Sequence, residues 1–453
     1  MTAVERTLFG TDGVRGVANR YPMTPEVALQ LGKAVAHVFR NGRSPHVVVG
    51  KDTRLSGYLF ENAITAGLLA AGATVYLVGP LPTPAVAHLT RSFAADAGIM
   101  ITASHNPAEH NGIKIFDSQG FKLADEKEQE IERIALETIA KHGRDERDEP
   151  IGKARRIDDA KGRYIEFAKA TISNTSLKGF RVVLDCANGA AYSVTPTILR
   201  ELGAHVIALN ASPDGLNINR ECGALHPAVI RAAVKEHRAD IGIALDGDAD
   251  RVVMVDEQGN DVDGDHLLAI AALELHQQGR LNHETVVATH YTNKGFDEAM
   301  ARASISVVRV ENGDRHVIEE MRAHGYNLGG EQSGHLVFFD HTTTGDGTIS
   351  ALQILRIMKE TGKPLSELAR CMASWPQVVK NIHIREKRPF AELHKVKSAM
   401  EHAAKLLGDD GRLLVRYSGT EQKVRIMVEG KESNLVHEVA EKISAAFQEE
   451  AGG

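Results

Sequence analysis

Three observations predict a multidomain α/β protein that ends in an α+β unit. Short apolar runs that stop at Gly, Asp or Ser recur along most of the chain, each followed by helical periodicity, as parallel strands joined by crossover helices require. These runs fall into three successive series, which points to three related α/β domains. After Pro376 the pattern changes to strand, helix, strand, strand, helix. At 453 residues the chain exceeds one typical domain, so three or four cores are expected.

The first series opens with His46-Val47-Val48-Val49-Gly50, which leads into a helix over 59–71. A strand over 73–78 then leads to a helix from Pro84, and the run 97–101 is the third strand. The charged stretch 125–148 favours a helix and joins the first series to the second; its charges read as a solvated face. The second series has strands at 181–185, 205–209 and 240–245, and the third at 284–288, 305–310 and 336–339. The final unit reads as a strand over 378–384, a helix over 389–407, strands over 413–417 and 424–428, and a helix over 433–448. Domain boundaries are placed at 1–155, 156–257, 258–372 and 373–453.

Composition narrows the function classes. With 43% hydrophobic and 25% charged residues the chain is an ordinary globular protein. A formal net charge of −7 argues against a general nucleic-acid binder, whose phosphate contacts need a basic surface. Cys186, Cys222 and Cys371 lie far apart with no CxxC pair, which suits buried free thiols in a reducing cytoplasm. The opening Met-Thr-Ala-Val-Glu-Arg has no secretory pattern, and no apolar run approaches the roughly 18–20 residues of a membrane span.

Two constellations carry chemistry. Asp246, Asp248 and Asp250 alternate, so an extended backbone puts their carboxylates on one side. Such a trio repels itself unless a cation or an arginine compensates, and hard oxygen ligands favour Mg²⁺ or Ca²⁺. An EF-hand is rejected, because Arg251 stands at the sixth loop position where Gly is needed and strands flank the loop. A solvated acidic turn is the plain alternative. Ser104, in Thr102-Ala103-Ser104-His105-Asn106-Pro107, follows a strand, and alone it reads as a helix N-cap. A hydrolase elbow is unsupported, since the flanking glycines of G-x-S-x-G are missing. A serine hydroxyl beside a metal-holding carboxylate trio is, however, what phosphoryl transfer needs.

Other loops are weaker alone. Phe9-Gly10-Thr11-Asp12-Gly13-Val14-Arg15-Gly16 lets an anion approach with Arg15 as donor, or is a plain turn. Lys114, in Gly112-Ile113-Lys114-Ile115, is a surface charge or a cation for the same site. The loop Gly330-Glu331-Gln332-Ser333-Gly334-His335 is tight and rich in partners for sugar hydroxyls. Arg416-Tyr417-Ser418-Gly419-Thr420, with Arg425 in the next strand, has the make-up of a phosphate nest.

Together and in this order, FGTDGVRG, TASHNP, NGIK, DGDADR, GEQSGH and RYSGTE resemble the α-D-phosphohexomutase superfamily across essentially the whole chain. The FGTDGVRG opening and Gln332, where neutral-hexose relatives usually carry Met, are similar to its amino-sugar branch. The resemblance implies three α/β domains with mixed sheets and a C-terminal α+β domain around a central active-site cleft. It implies that Ser104 carries a phosphoryl group and that glucosamine 6-phosphate and glucosamine 1-phosphate interconvert through a bisphosphorylated intermediate, feeding UDP-N-acetylglucosamine and cell-wall polymers. Glucosamine 1,6-bisphosphate or a similar hexose bisphosphate would prime Ser104.

By the same resemblance, one Mg²⁺ sits on Asp246, Asp248, Asp250 and a Ser104 phosphate oxygen. Arg15, His105, Lys114 and Arg251 line the reaction centre, with Lys114 as the candidate for proton transfer, a role that calls for a lowered pKa. Glu331 and Ser333 bind sugar hydroxyls with His335 nearby. Arg416, Ser418, Gly419, Thr420 and Arg425 grip the phosphate that is not reacting. Both a monomer and a homodimer are compatible with these features. The alternative substrates are mannose and glucose phosphates, and a non-catalytic cation-binding protein or a phosphatase stands further off. Two departures matter: Tyr417 and Gln422 replace the prolines usual in the distal loop, and Lys294 puts a charge in the stretch used for sugar choice.

Overall fold

The computed structural model describes residues 8–10, 12–140, 150–417 and 422–452. Two compact units emerge, one of Met1–Tyr291 with Ala303–Cys371 and one of Thr292–Arg302 with Met372–Gly453.

The first unit holds three sheets. The first has seven strands in the order Phe9–Gly10, Gly13–Val17, His110–Asp117, Ala97–Ile101, His46–Lys51, Thr74–Pro80 and Lys153–Arg156. Its central strands, such as Val47-Val48-Val49, are buried on both faces, which explains their unbroken apolar runs. The helices Pro25–Val38 and Gly57–Ala70 pack together over this sheet. They touch backbone to backbone, since a Cβ at Gly67 would lie 2.0 Å from Leu29 O and one at Gly32 2.4 Å from Ile64 O.

The second sheet has five strands, in the order Asp261–Val262, Val252–Asp256, Ile241–Leu245, Arg181–Asp185 and His205–Leu209. The third has four, in the order Ser306–Val310, Thr285–Thr289, Leu328–Gly330 and Leu336–Phe338. All three mix parallel and antiparallel pairs and share one device. A strand parallel to its neighbour ends in a loop, and the chain returns antiparallel beside it. Ala97–Ile101 returns as His110–Asp117, Ile241–Leu245 as Val252–Asp256, and Leu328–Gly330 as Leu336–Phe338. The three loops so formed carry Ser104, the aspartates and Glu331, at the carboxyl ends of strands where α/β sheets bind ligands.

The second unit is a three-stranded antiparallel sheet, Gln377–His383, Lys423–Gly430 and Gly411–Tyr417, with the helices His394–Leu407 and Ser433–Ala451 packed on it. Its core is built by Val396, Val424, Ile426, Ile443 and Phe447 among others.

Two expectations need correction. The helix Asp125–Ala140 is not charged merely for solvation: Glu128 and Glu132 are only 3% and 6% exposed. Glu132 accepts from the backbone N–H groups of Leu8 and Phe9, and Glu128 pairs with Arg315, so these charges anchor neighbouring segments. The part of that stretch over 141–149 lies outside the described residues. The helix expected from Pro389 begins at His394, because a 3₁₀ turn over Phe390–Glu392 precedes it.

Candidate active site

Ser104 caps no helix. It sits in the turn between Ala97–Ile101 and His110–Asp117, 1% exposed, with φ of +50°. A serine in the left-handed region carries backbone strain that its surroundings must hold. The hydroxyl donates to Asp246 Oδ2 at 2.7 Å and lies 3.4 Å from His105 Nδ1. Its backbone N–H donates to Thr102 Oγ1, whose own hydroxyl donates to the buried Asp52.

The aspartates converge by a different route from the extended backbone expected of them. Residues 246–250 form a turn, closed by Ala249 N–H to Asp246 O at 3.1 Å, with Ala249 at φ of +57°. The turn gathers one oxygen each from Asp246, Asp248 and Asp250 to within 4.8 Å of one another, all three side chains being buried. Asp246 Oδ1 accepts from Arg251 N–H, and Asp248 Oδ2 from Thr83 Oγ1 and Lys114 Nζ. Asp248 Oδ1 and Asp250 Oδ1 are buried with no hydrogen-bond partner. Burial and the charges of Asp250 and Asp248 push the Asp246 carboxyl well above its ordinary range. Orphaned carboxylate oxygens converging beside a serine hydroxyl fit a hard divalent cation, which neutralises the trio and takes the unused lone pairs.

Cations surround this cluster. Lys114, 2% exposed, projects from the strand His110–Asp117 and lies 3.0 Å from Asp248, 3.2 Å from Asp12 and 3.5 Å from Asp250. Burial pulls its pKa down, but those three carboxylates more than offset this and push it up. The lowered pKa expected for proton transfer is therefore not met, because the pocket is rich in carboxylates. Arg15 pairs with Asp12, and Arg251 Nη1 reaches His105 Nδ1 at 3.3 Å. Burial, with the charges of Arg251 and Arg15, brings the His105 imidazole down to about 4, so it is neutral at pH 7.

In the third loop, Glu331 accepts from Gly313 N–H at 3.0 Å and from Ser333 Oγ at 3.3 Å. Glu331 is half-buried and Ser333 exposed, whereas His335 is buried and accepts from Gly345 N–H. This loop joins the aspartate loop through Val252 N–H to Gly334 O at 3.1 Å. Two residues without sequence signal, Lys122 and Asp314, join the site, together with Asp12. Lys122 bridges Asp12 and Asp314, and Asp314 lies beside His335 and Asp250. Asp12 stands within FGTDGVRG beside its partner Arg15, but its other partners, Lys114 and Lys122, are distant in sequence, so only the fold reveals them.

In the second unit, Arg416 and Arg425 stand opposite each other across adjacent strands. Like charges in that position disfavour the sheet unless something anionic compensates. Arg425 Nε donates to Asn381 Oδ1, and Tyr417 donates to Arg388 O while its ring packs on Phe390. Gln422 is exposed; Ser418, Gly419 and Thr420 lie outside the described residues. Lys294 is turned within this unit to Asp409 O at 2.6 Å and over the Trp375 ring.

Family models match along the chain: phosphoglucomutase/phosphomannomutase α/β/α domain I at residues 6–141, domain II at 162–259, domain III at 263–375, and the C-terminal domain at 380–446. The phosphoglucosamine mutase of Geotalea daltonii is 53% identical over 450 residues, covering 99% of each chain. The fold is shared with a phosphoglucomutase/phosphomannomutase family protein from Burkholderia thailandensis, at TM-score 0.81 and 23% identity over 98% of this chain and 97% of that one. It is shared too with Aspergillus fumigatus N-acetylphosphoglucosamine mutase in complex with GlcNAc-6P and magnesium, at TM-score 0.70 and 18% identity over 98% and 96%.

Proposed function

The chain belongs to the phosphoglucomutase/phosphomannomutase family, and from that premise we propose that it interconverts glucosamine 6-phosphate and glucosamine 1-phosphate as a phosphoglucosamine mutase. The observation that carries this reading is the Ser104 hydroxyl resting on Asp246 beside two orphaned carboxylate oxygens. The full-length likeness to phosphoglucosamine mutases selects the amino sugar, and Gln332 in the third loop agrees with it.

In the forward step the phosphoryl group leaves Ser104 Oγ as its bond to phosphorus breaks and a bond to a sugar hydroxyl oxygen forms. One proton must pass from that hydroxyl to Oγ. Because its carboxylate neighbours keep Lys114 an ammonium, Lys114 is the proposed shuttle by giving a proton to Oγ as that bond breaks and taking the hydroxyl's proton in exchange. The bisphosphorylated sugar then turns round and returns its other phosphoryl group to Ser104. Asp246, Asp248 and Asp250, with a Ser104 phosphate oxygen, would hold one Mg²⁺, which supplies charge neutralisation for the transferring group. Arg15, His105 and Arg251 orient phosphate oxygens, Glu331 and Ser333 take sugar hydroxyls near His335, and Arg416, Ser418, Gly419, Thr420 and Arg425 bind the second phosphate. No helix among the described residues is long and apolar enough to cross a membrane. Two buried free cysteines, Cys186 and Cys222, fit a reducing cytoplasm, where we place the reaction.

The test exposes the purified protein and its Ser104→Ala variant to a hexose 1,6-bisphosphate, maps phosphate by intact mass, and compares turnover of glucosamine 6-phosphate with mannose and glucose 1-phosphates. Phosphate on Ser104 with a preference for the amino sugar is expected. An active Ser104→Ala variant refutes the carrier role, and a preference for neutral hexoses refutes the substrate.

A further inference from the structure

The carbonyl oxygens of the Ser104 loop are held from two sides. From below comes Arg54, whose buried guanidinium donates to Asp52, to Ser104 O at 2.9 Å, Asn106 O at 2.8 Å and His110 O at 3.1 Å, and to Pro107 O. From the second sheet's side comes Asn219, whose Nδ2 donates to the same two oxygens, Ser104 O at 2.9 Å and Asn106 O at 3.0 Å. Asn219 itself sits at φ of +57° and ties its backbone N–H to Ala187 O at 2.9 Å, so its side chain issues from a fixed turn. Gly247, in the middle of the aspartate loop, closes the arrangement: a Cβ there would lie 2.7 Å from Asn219 Nδ2 and 2.5 Å from Ser104 O.

These contacts have a consequence for geometry. Arg54 fixes the serine loop within its own sheet, whereas among the described residues Asn219 alone ties the carbonyl of Ser104 to the body that carries Asp246. The left-handed serine is strained and needs support from outside its own turn. Two donors sharing the same pair of carbonyl oxygens resist both sliding and rotation of the loop.

We propose that Asn219 is a positioning residue that locks the Ser104 loop in register with the aspartate loop, so that Oγ stays aligned for transfer. Building on Ser104 as the phosphate carrier, this assigns a role to a residue outside the aspartate trio and the sugar loop, whose bonds run to backbone oxygens. Asn219 acts through Ser104, so its loss slows the chemical step and leaves sugar binding intact.

The experiment uses the full chain with Asn219→Gly, which removes both donated bonds and tolerates the positive φ, and Asn219→Asp, which sets a carboxylate against two carbonyls. Each is compared with the parent for thermal midpoint, for kcat and KM with glucosamine 6-phosphate, and for the rate at which glucose 1,6-bisphosphate phosphorylates Ser104 by intact mass. Expected is a fall of roughly 30-fold or more in kcat and in the Ser104 phosphorylation rate, with KM and thermal midpoint nearly unchanged. Unchanged kcat in a folded variant overturns the proposal, as does a rise in KM alone. A drop in thermal midpoint that accounts for the lost activity in both variants also overturns it. A parallel Ser104→Ala arm separates the two readings. Activity there defeats the carrier role itself, whereas an inactive Ser104→Ala beside an unaffected Asn219→Gly defeats only the register lock.

Discussion

Gly247→Ala is the sharpest perturbation of this site, because it adds one methyl group where two loops meet. The added Cβ would lie 2.5 Å from Ser104 O, 2.7 Å from Asn219 Nδ2 and 2.9 Å from Ile218 Cδ1. Comfortable contact begins at about 3.5 Å, so the shortfall against the serine carbonyl is about 1 Å. The aspartate loop cannot retreat. On its other side Ala190 N–H donates to Gly247 O at 2.8 Å, and Gly189 is packed so close that its own Cβ would come within 2.3 Å of that oxygen. The serine loop cannot easily yield either, since Arg54 binds four of its carbonyls. Strain is therefore shared, and Ser104 moves relative to Asp246 by a large part of that ångström. Overpacking of this kind costs about 1–3 kcal/mol of stability, which the folded state can absorb. A misplacement near 1 Å in a reacting group costs about 100-fold in rate. The variant should thus remain folded by thermal melting while kcat for glucosamine 6-phosphate drops about 100-fold. A folded Gly247→Ala protein with kcat within about twofold of the parent would refute the claim that the separation of these loops sets the rate.

Three further outcomes follow from other parts of the first unit. Gly162, inside the helix Ala160–Ala170, has nothing within 4 Å of a built Cβ, so Gly162→Ala should raise stability by about 0.5–1 kcal/mol in urea denaturation with activity unchanged. Asp346 accepts from Tyr164 and from Ile349 N–H, and burial pushes its carboxyl up to about 7. A folded pKa raised above the unfolded value means that its stabilisation is full below about pH 4 and is lost as pH rises through 7. The parent should then lose up to about 1.4 kcal/mol per pH unit in that window from this group, and Asp346→Asn should flatten the slope of urea midpoint against pH. Lys122→Ala leaves Asp12 and Asp314 facing each other with their bridging cation gone, so a loss of about 3 kcal/mol by chemical denaturation is expected, along with lower turnover; unchanged stability would show that the bridge contributes nothing.

What the sequence discloses depends on the range of the forces involved. The strand Arg181–Asp185 is written in a local apolar run, whereas the strand His110–Asp117, with Lys114 buried between Ile113 and Ile115, carries no such run and goes unread. Motif loops are legible as short runs of residue types but not as backbone: Ser104 reads as a helix cap and the aspartates as an extended run, whereas both lie in turns with positive φ at Ser104 and Ala249. Register between loops is a different matter. The bonds of Lys122 to Asp12 and Asp314 join positions 110 and 192 apart, and Asn219 reaches Ser104 across 115. Nothing in the composition of either partner distinguishes such a lysine or asparagine from one on the surface. The acidic helix Asp125–Ala140 shows the cost of reading locally: a charge pattern that suits solvent also places Glu132 where two backbone N–H groups need an acceptor. The same holds for Lys114, whose charge state is decided by three carboxylates from two distant segments. Local pattern therefore picks out the groups proposed to do chemistry here, while their alignment and protonation arise from contacts among three loops that only the folded chain brings together.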